Sequence, residues 1–312
     1  MAAREEIPEW IEPRELKELL DKKAELSLID LRMEDRFERA HLPGAVQACI
    51  FEMVFPETVA RLAPDKGRRL IIYGSHASQE AQVGLEKLKR LGYRKVTALV
   101  GGVEGWEAAG FGPEGERASG QAEPEEGFHL SEGIFGIDPA RSRLLWTGRG
   151  VDNLHFGRLS FSRGELRLKS GRLHGGLTLD MTSIRDLSIT DDPDLKRDLE
   201  KHLTSDDFFF VERFPEASLT ILSGIPIPET PLGRPNYEIR AELTLKGIKA
   251  GLEFPATLAL HSDGFLSAEA HLGFDRTRWG VIYGSGLFFR FLGYHLVFDE
   301  ISVEVNLVAE IP

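Results

Sequence analysis

Residues 175–215 read GGLTLDMTSIRDLSITDDPDLKRDLEKHLTSDDFFFVERFP, and the reading of this stretch decides the fold. It opens inside a strand. Leu173, Leu177, Leu179 and Met181 share one face at period two, with Thr178 and Asp180 on the other. Helical signals then take over: Asp192 suits an N-cap, Pro193 suits the first helical position, and Leu195, Leu199 and Leu203 recur every four residues. Ser205-Asp206-Asp207 forms an acidic turn and a second helix start, whose carboxylates are expected to cap free amides rather than to do acid–base work. Phe208, Phe209 and Phe210 follow directly, and three consecutive phenylalanines cannot all point one way. An amphipathic helix and an aromatic plug thus interrupt a β-domain, the arrangement of a lid over one end of a barrel.

The strands around this insertion are of the antiparallel, half-buried kind. Ile239, Ala241, Leu243 and Leu245 alternate with Glu238, Arg240, Glu242 and Lys246. Leu266 to Phe274 and Ile301 to Leu307 alternate in the same way, and turns fall at Ser170-Gly171, Lys246-Gly247 and Asp263-Gly264. The pattern fits a sandwich or a closed barrel; closure removes the edge strands, and eight strands leave room for one ligand.

The DMTSI and HLTSDDFFFVERFPEA segments, Ile137-Asp138-Pro139-Ala140, the strand Arg141 to Trp146, and DRTRWGVIYGSGLFF at 275–289 together carry a resemblance. Residues 135–309 resemble the YceI-like family, lipocalin-like barrels that hold long isoprenoid or fatty amphiphiles. The resemblance implies an all-β antiparallel barrel with a short helical lid over 135–312. The ligand would lie among aromatic and apolar residues, for which Trp146, Phe156, Leu179, Phe208, Phe209, Phe214, Trp279, Tyr283, Phe288, Phe289 and Phe291 are the candidates.

Residues 1–111 read differently. Pro13 opens a helix carrying Leu16, Leu19 and Leu20; Leu26 to Leu31, Arg69 to Tyr73 and Val96 to Val100 are short apolar runs. Ala81, Leu85, Leu88 and Leu91 make a further helix that Gly92 stops. Alternating short strands and helices imply an α/β domain on a parallel sheet. Asp30-Leu31-Arg32, His41-Leu42-Pro43-Gly44-Ala45 and Gly101-Gly102-x-x-Gly105-Trp106 resemble, in this order, the motifs of the rhodanese family. That resemblance implies a persulfide-forming cysteine just after the central strand. Here the position falls to Gly74 or Ser75, followed by His76, and neither can carry sulfane sulfur. The loop has no Arg and contains Glu80, of the wrong sign for a thiolate. Ser75 or Ser78 with His76 lacks an evident orienting carboxylate. Cys49, between Ala48 and Ile50, reads as a small hydrophobe in an apolar strand. The domain is therefore expected to be catalytically silent.

Residues 112–134 are rich in Gly, Pro and Glu and read as an acidic tether between the two domains. Net charge is −12, which disfavours nucleic acid as a partner. One cysteine excludes an intrachain disulfide, the N-terminal residues show no apolar signal segment, and no run reaches the roughly 20 residues of a membrane span, so a cytoplasmic protein is expected. The nine histidines show no metal-ligand spacing, and Gly284-Ser285-Gly286 has no adjoining phosphate-binding lysine; no metal or cofactor is expected. Two readings follow. One is a carrier or sensor of an amphiphilic, isoprenoid lipid, with the first domain as a docking or regulatory module for a protein partner. The other is a sulfur-handling enzyme that uses Cys49 or a partner's cysteine.

Overall fold

In the first half, the apolar runs become parallel strands and the amphipathic runs become the helices that cover them. The structure, a computed structural model, describes residues 9–116, 130–261 and 264–311. The chain divides into two compact units. The first contains β1 (Trp10–Ile11), α1 (Pro13–Asp21), β2 (Leu26–Asp30), α2 (Glu34–Arg39), β3 (Val46–Gln47), α3 (Phe55–Leu62), β4 (Arg69–Tyr73), α4 (Glu80–Arg90), β5 (Val96–Leu99) and α5 (Gly102–Ala108). The sheet order is β1-β5-β4-β2-β3, all parallel. Burial on both faces explains why β4 and β5 read as continuous apolar runs. Cys49 is buried, but it follows β3 instead of lying in a strand, because the chain leaves the sheet after Gln47.

One ion pair of the first unit is buried. Arg32 meets Asp30 through Nε–Oδ1 at 3.0 Å and Nη2–Oδ2 at 2.6 Å, and Nη2 also donates to the Ala40 carbonyl at 2.6 Å. Both residues are almost fully enclosed, so the pair ties β2 to the segment before His41. Residues 112–116, the start of the expected tether, lie against this unit: Trp106 Nε1 donates to the Gly112 carbonyl at 3.1 Å, and His41 and Glu114 exchange two backbone bonds. Residues 117–129 of that segment lie outside the described residues, as does Asp263 of the expected turn at 263–264.

The second unit contains β6 (Gly133–Ile137), β7 (Arg143–Arg149), β8 (Leu154–Lys169), β9 (Arg172–Asp186), α6 (Pro193–Thr204), β10 (Glu216–Pro226), β11 (Tyr237–Leu245), β12 (Ile248–Leu260), β13 (Leu266–Asp275) and β14 (Glu300–Glu310). Strands β7 to β14 form an antiparallel barrel of eight strands that closes between β14 and β7. The short β6 fills the corner between β8 and β14. Ser170-Gly171 and Lys246-Gly247 both adopt positive φ, which fits the two-residue hairpin turns that follow the twist of the strands.

Two connections cover one end of the barrel, residues 187–215 between β9 and β10 and residues 276–299 between β13 and β14. Asp192 caps α6, its carboxylate accepting from the amides of Asp194 and Leu195 at 3.2 and 2.9 Å. The second helix expected at Ser205 is absent. The chain instead turns, with Phe208 and Phe210 amides donating to the Ser205 carbonyl and Phe210 at φ 47°. Asp206 and Asp207 therefore cap nothing. Asp207 faces His202 at 3.7 Å, and Lys246 Nζ reaches the Asp206 carbonyl at 3.5 Å. Leu203 is buried and Leu199 packs on the core, whereas Leu195 is exposed, so only the second half of α6 presses onto the barrel.

Candidate ligand-binding cavity

Strand alternation dictates that one face of every barrel strand fills the interior. Leu173, Leu177, Leu179 and Met181 of β9, Ile239, Leu243 and Leu245 of β11, and Val303 and Leu307 of β14 are buried there. They do not fill it. A cavity of about 160 Å³ remains, walled by aliphatic and aromatic side chains. Four alanines, Ala217, Ala256, Ala268 and Ala270, stand in its wall where larger residues would close the space.

Of the residues expected to meet a ligand, the structure brings Trp146, Leu179 and Phe209 to the cavity wall. Trp146 lies over Gly157, where an added Cβ would overlap both the indole and the Arg185 carbonyl. Its indole N–H is buried without a hydrogen-bond partner. Phe209 reaches the cavity from the lid, backed by Phe208 and Tyr283 in a run of aromatic contacts at 6.2 and 5.2 Å, with His202 edge-on to both Phe208 and Tyr283.

The other candidates lie elsewhere. Trp279 is fully buried with Nε1 donating to the Leu243 carbonyl at 2.8 Å, a core role. Phe214 packs over the Lys246-Gly247 turn. Phe156 faces outward on β8, because even-numbered residues at that end of the strand point away from the interior. Phe288, Phe289 and Phe291 are exposed on the 276–299 connection. The sequence reading missed the alanines and Ile184, Leu219 and Phe254, which also line the cavity. Only Ala268 and Ala270 stood on a strand whose alternation was already recognised; Ala217 and Leu219 lie on β10, Phe254 and Ala256 on β12, and Ile184 lies out of step with the odd-numbered inward face of β9.

Arg276 was likewise unforeseen. Its buried guanidinium donates to the carbonyls of Val281, Tyr283, Val297 and Phe298 at 2.5–3.1 Å, pinning both stems of the 276–299 connection. Burial lowers its pKa from the ordinary value, with Asp299 and Asp275 acting in the opposite sense.

In the first unit, the loop after β4 is filled from within. Glu80 sits at the start of α4, folds its carboxylate back onto the Ser75 amide, and occupies the space that a side chain at Gly74 would need. Gly102 approaches the Gly74 carbonyl so closely that an added Cβ would overlap it. His76 donates its backbone N–H to Glu104 at 3.2 Å. Among the described residues, no group of three or more His, Cys, Asp or Glu is placed to hold a metal.

A family model for the YceI-like domain matches residues 135–309, more than half the chain. The chain belongs to the YceI-like family. A second model, for the rhodanese-like domain, matches residues 12–109, so this YceI-like chain also carries a rhodanese-like domain. Its barrel is similar to that of Burkholderia cenocepacia BcnA, at 20% identity and TM-score 0.43, covering 55% of this chain and 98% of that one. It is also similar to a polyisoprenoid binding domain from Saccharophagus degradans, at 15% identity and TM-score 0.41, covering 58% and 100%. The first unit is similar to a thiosulfate sulfurtransferase from Pseudomonas aeruginosa, at 30% identity and TM-score 0.32, covering 39% of this chain and 23% of that one. No curated protein matches the chain. Among the described residues, no helix is long and apolar enough to cross a membrane.

Proposed function

We propose that the chain binds one hydrophobic, chain-like lipid of isoprenoid type in the barrel, and that its rhodanese-like domain is silent in sulfur transfer and serves as a docking or regulatory module. The observation that carries the first part is the void: a barrel core with about 160 Å³ unfilled, walled by apolar groups, with four alanines holding it open. A soluble core ordinarily closes such space, since unfilled volume costs about 24 cal/mol per Å³. At this size the cavity is near that of an engineered apolar cavity that stays dry and accepts a benzene-sized guest, so roughly one isoprene unit fits before anything moves. A longer chain requires Phe209 and the lid to withdraw.

Silence of the rhodanese-like domain rests on Glu80. Gly74 has no side chain, the Ser75 amide is taken by a carboxylate of the same chain, and Cys49 is buried, away from the access a nucleophilic thiolate needs. Division into residues 1–111, a tether at 112–134 and a barrel at 135–312 is part of the same proposal, as are a cytoplasmic site and the absence of nucleic-acid binding. The experiment is lipid retention: delipidated full chain is offered geranylgeraniol or stearate, and Ala268→Leu is run beside it. Retention of the prenyl alcohol that is lost in the variant supports the reading. Equal retention by both, or none by either, contradicts it.

A further inference from the structure

At the lid end of the barrel a group of large apolar side chains is exposed to solvent, and most of that group stands on one connection. Leu287, Phe288, Phe289, Phe291 and Tyr294 are 72%, 51%, 44%, 103% and 79% exposed. The patch continues sideways. The Phe298 amide donates to the Arg149 carbonyl, Thr147 beside it pairs with Phe156, and the Leu187 amide donates to the Phe156 carbonyl; Phe298, Phe156, Leu154 and Leu187 are all exposed. Soluble chains rarely leave so many large apolar groups together in water unless something covers them.

The connection is also held rigidly. Arg276 ties its stems, the Val297 amide donates to Gly284, and the buried Ser285 takes the amides of Phe288 and Phe289 on its carbonyl. Phe291 stands at its tip with φ 62°, a left-handed conformation that is strained for a bulky residue. A strained phenylalanine wholly in water is stabilised by nothing the barrel supplies.

Charge separates this segment from the rest of the chain. From Arg276 to Phe298 there is no Asp or Glu, while Arg276, Arg278 and Arg290 are present, in a chain with 50 acidic against 38 basic residues. Phenylalanine and leucine at a protruding tip, with a tyrosine and an arginine beside them, match the layering of a bilayer surface, where apolar side chains pass the headgroups and amphipathic ones stay among them. A protein partner would need a pocket to receive a convex tip.

We propose that the 276–299 connection inserts its Leu287–Phe291 tip into a lipid bilayer, docking the lid end of the barrel on the membrane from which the cavity is filled. The purpose assigned to docking rests on the lipid-binding reading, but docking itself is measured without any cavity ligand. The α6 side of the same end is acidic (Asp191, Asp192, Asp194, Asp198), so burial of the apolar tip, not charge attraction, supplies most of the affinity.

The test is flotation of the full chain with phosphatidylcholine vesicles, with and without phosphatidylglycerol. Wild type is expected to float with both, modestly better with the anionic lipid. Leu287→Asp and Phe291→Asp are each expected to lower partitioning about tenfold or more, the factor expected when one such side chain no longer leaves water, with no fall in melting temperature, since aspartate tolerates the left-handed conformation at 291 better than phenylalanine. Phe291→Trp adds a readout of the tip itself: its emission shifts to the blue on vesicle addition. Ala268→Leu floats like wild type, because it fills the cavity and leaves the tip intact, so loss of lipid retention and loss of docking are separate results. Wild type that stays with the unbound fraction in both vesicle types, or aspartate variants that float unchanged, overturns the proposal; in the first case the patch belongs to a protein partner.

Discussion

Filling the cavity from the wall gives a sign that decides between an open void and a closed core. The empty space of about 160 Å³, at about 24 cal/mol per Å³, costs the barrel about 4 kcal/mol. Ala268→Leu adds three carbons from an inward position on β13, worth about 2 kcal/mol at about 0.8 kcal/mol per buried methylene. For a unit of this size each kcal/mol moves the midpoint by about 2–4 °C, so the delipidated variant is expected to melt about 4–8 °C higher. Were there no room, overpacking would instead cost about 1–3 kcal/mol and lower the midpoint. The assay is calorimetry of delipidated protein, paired with retention of geranylgeraniol. A lower midpoint together with undiminished retention would refute the reasoning, since it would place the lipid somewhere other than this cavity.

Three further outcomes are expected. Gly74→Cys supplies the missing thiol but drives its Cβ into Glu80, so it is expected to lose about 1–3 kcal/mol of stability and to yield no thiocyanate from thiosulfate and cyanide; turnover by this single variant would contradict the account of Glu80. Asp192→Ala removes the α6 cap at a cost of about 1 kcal/mol, which is expected to speed amide exchange in α6 about fivefold and to hasten lipid release, read by hydrogen exchange and by dissociation rate. Limited proteolysis is expected to cut C-terminal to Glu116, because residues 112–116 are bonded to the first unit, and to leave two folded fragments; a cut between Gly112 and Glu116 would contradict that anchoring.

Much of the fold was legible because it rests on local rules. Asp192 and Pro193 marked the start of α6, period-two alternation placed β9, β11, β13 and β14, and Gly92 at φ 91° ended α4 where the sequence placed its stop. The failures have one cause: local signals do not say what the rest of the chain supplies. Ser205-Asp206-Asp207 has the composition of a helix start, yet the chain must turn there to bring Phe209 over the cavity. Aromatic character suggested that Phe156, Phe288, Phe289 and Phe291 meet a ligand inside, but register on β8 and the outward course of the 276–299 connection put all four on the surface. The wall alanines carried no chemical signal, since a void is a property of what faces what across the barrel. Glu80 was recognised as the wrong sign for a thiolate; that it folds back onto the vacated position needed coordinates.

The central claim, that the barrel holds a hydrophobic chain, is tested most directly by native mass spectrometry of the freshly purified full chain, followed by organic extraction. The account predicts one adduct per chain, an extract containing a long prenyl or similar hydrocarbon chain, and disappearance of the adduct in Ala268→Leu. A bare mass of 34.8 kDa, unchanged after incubation of the protein with geranylgeraniol, would contradict it.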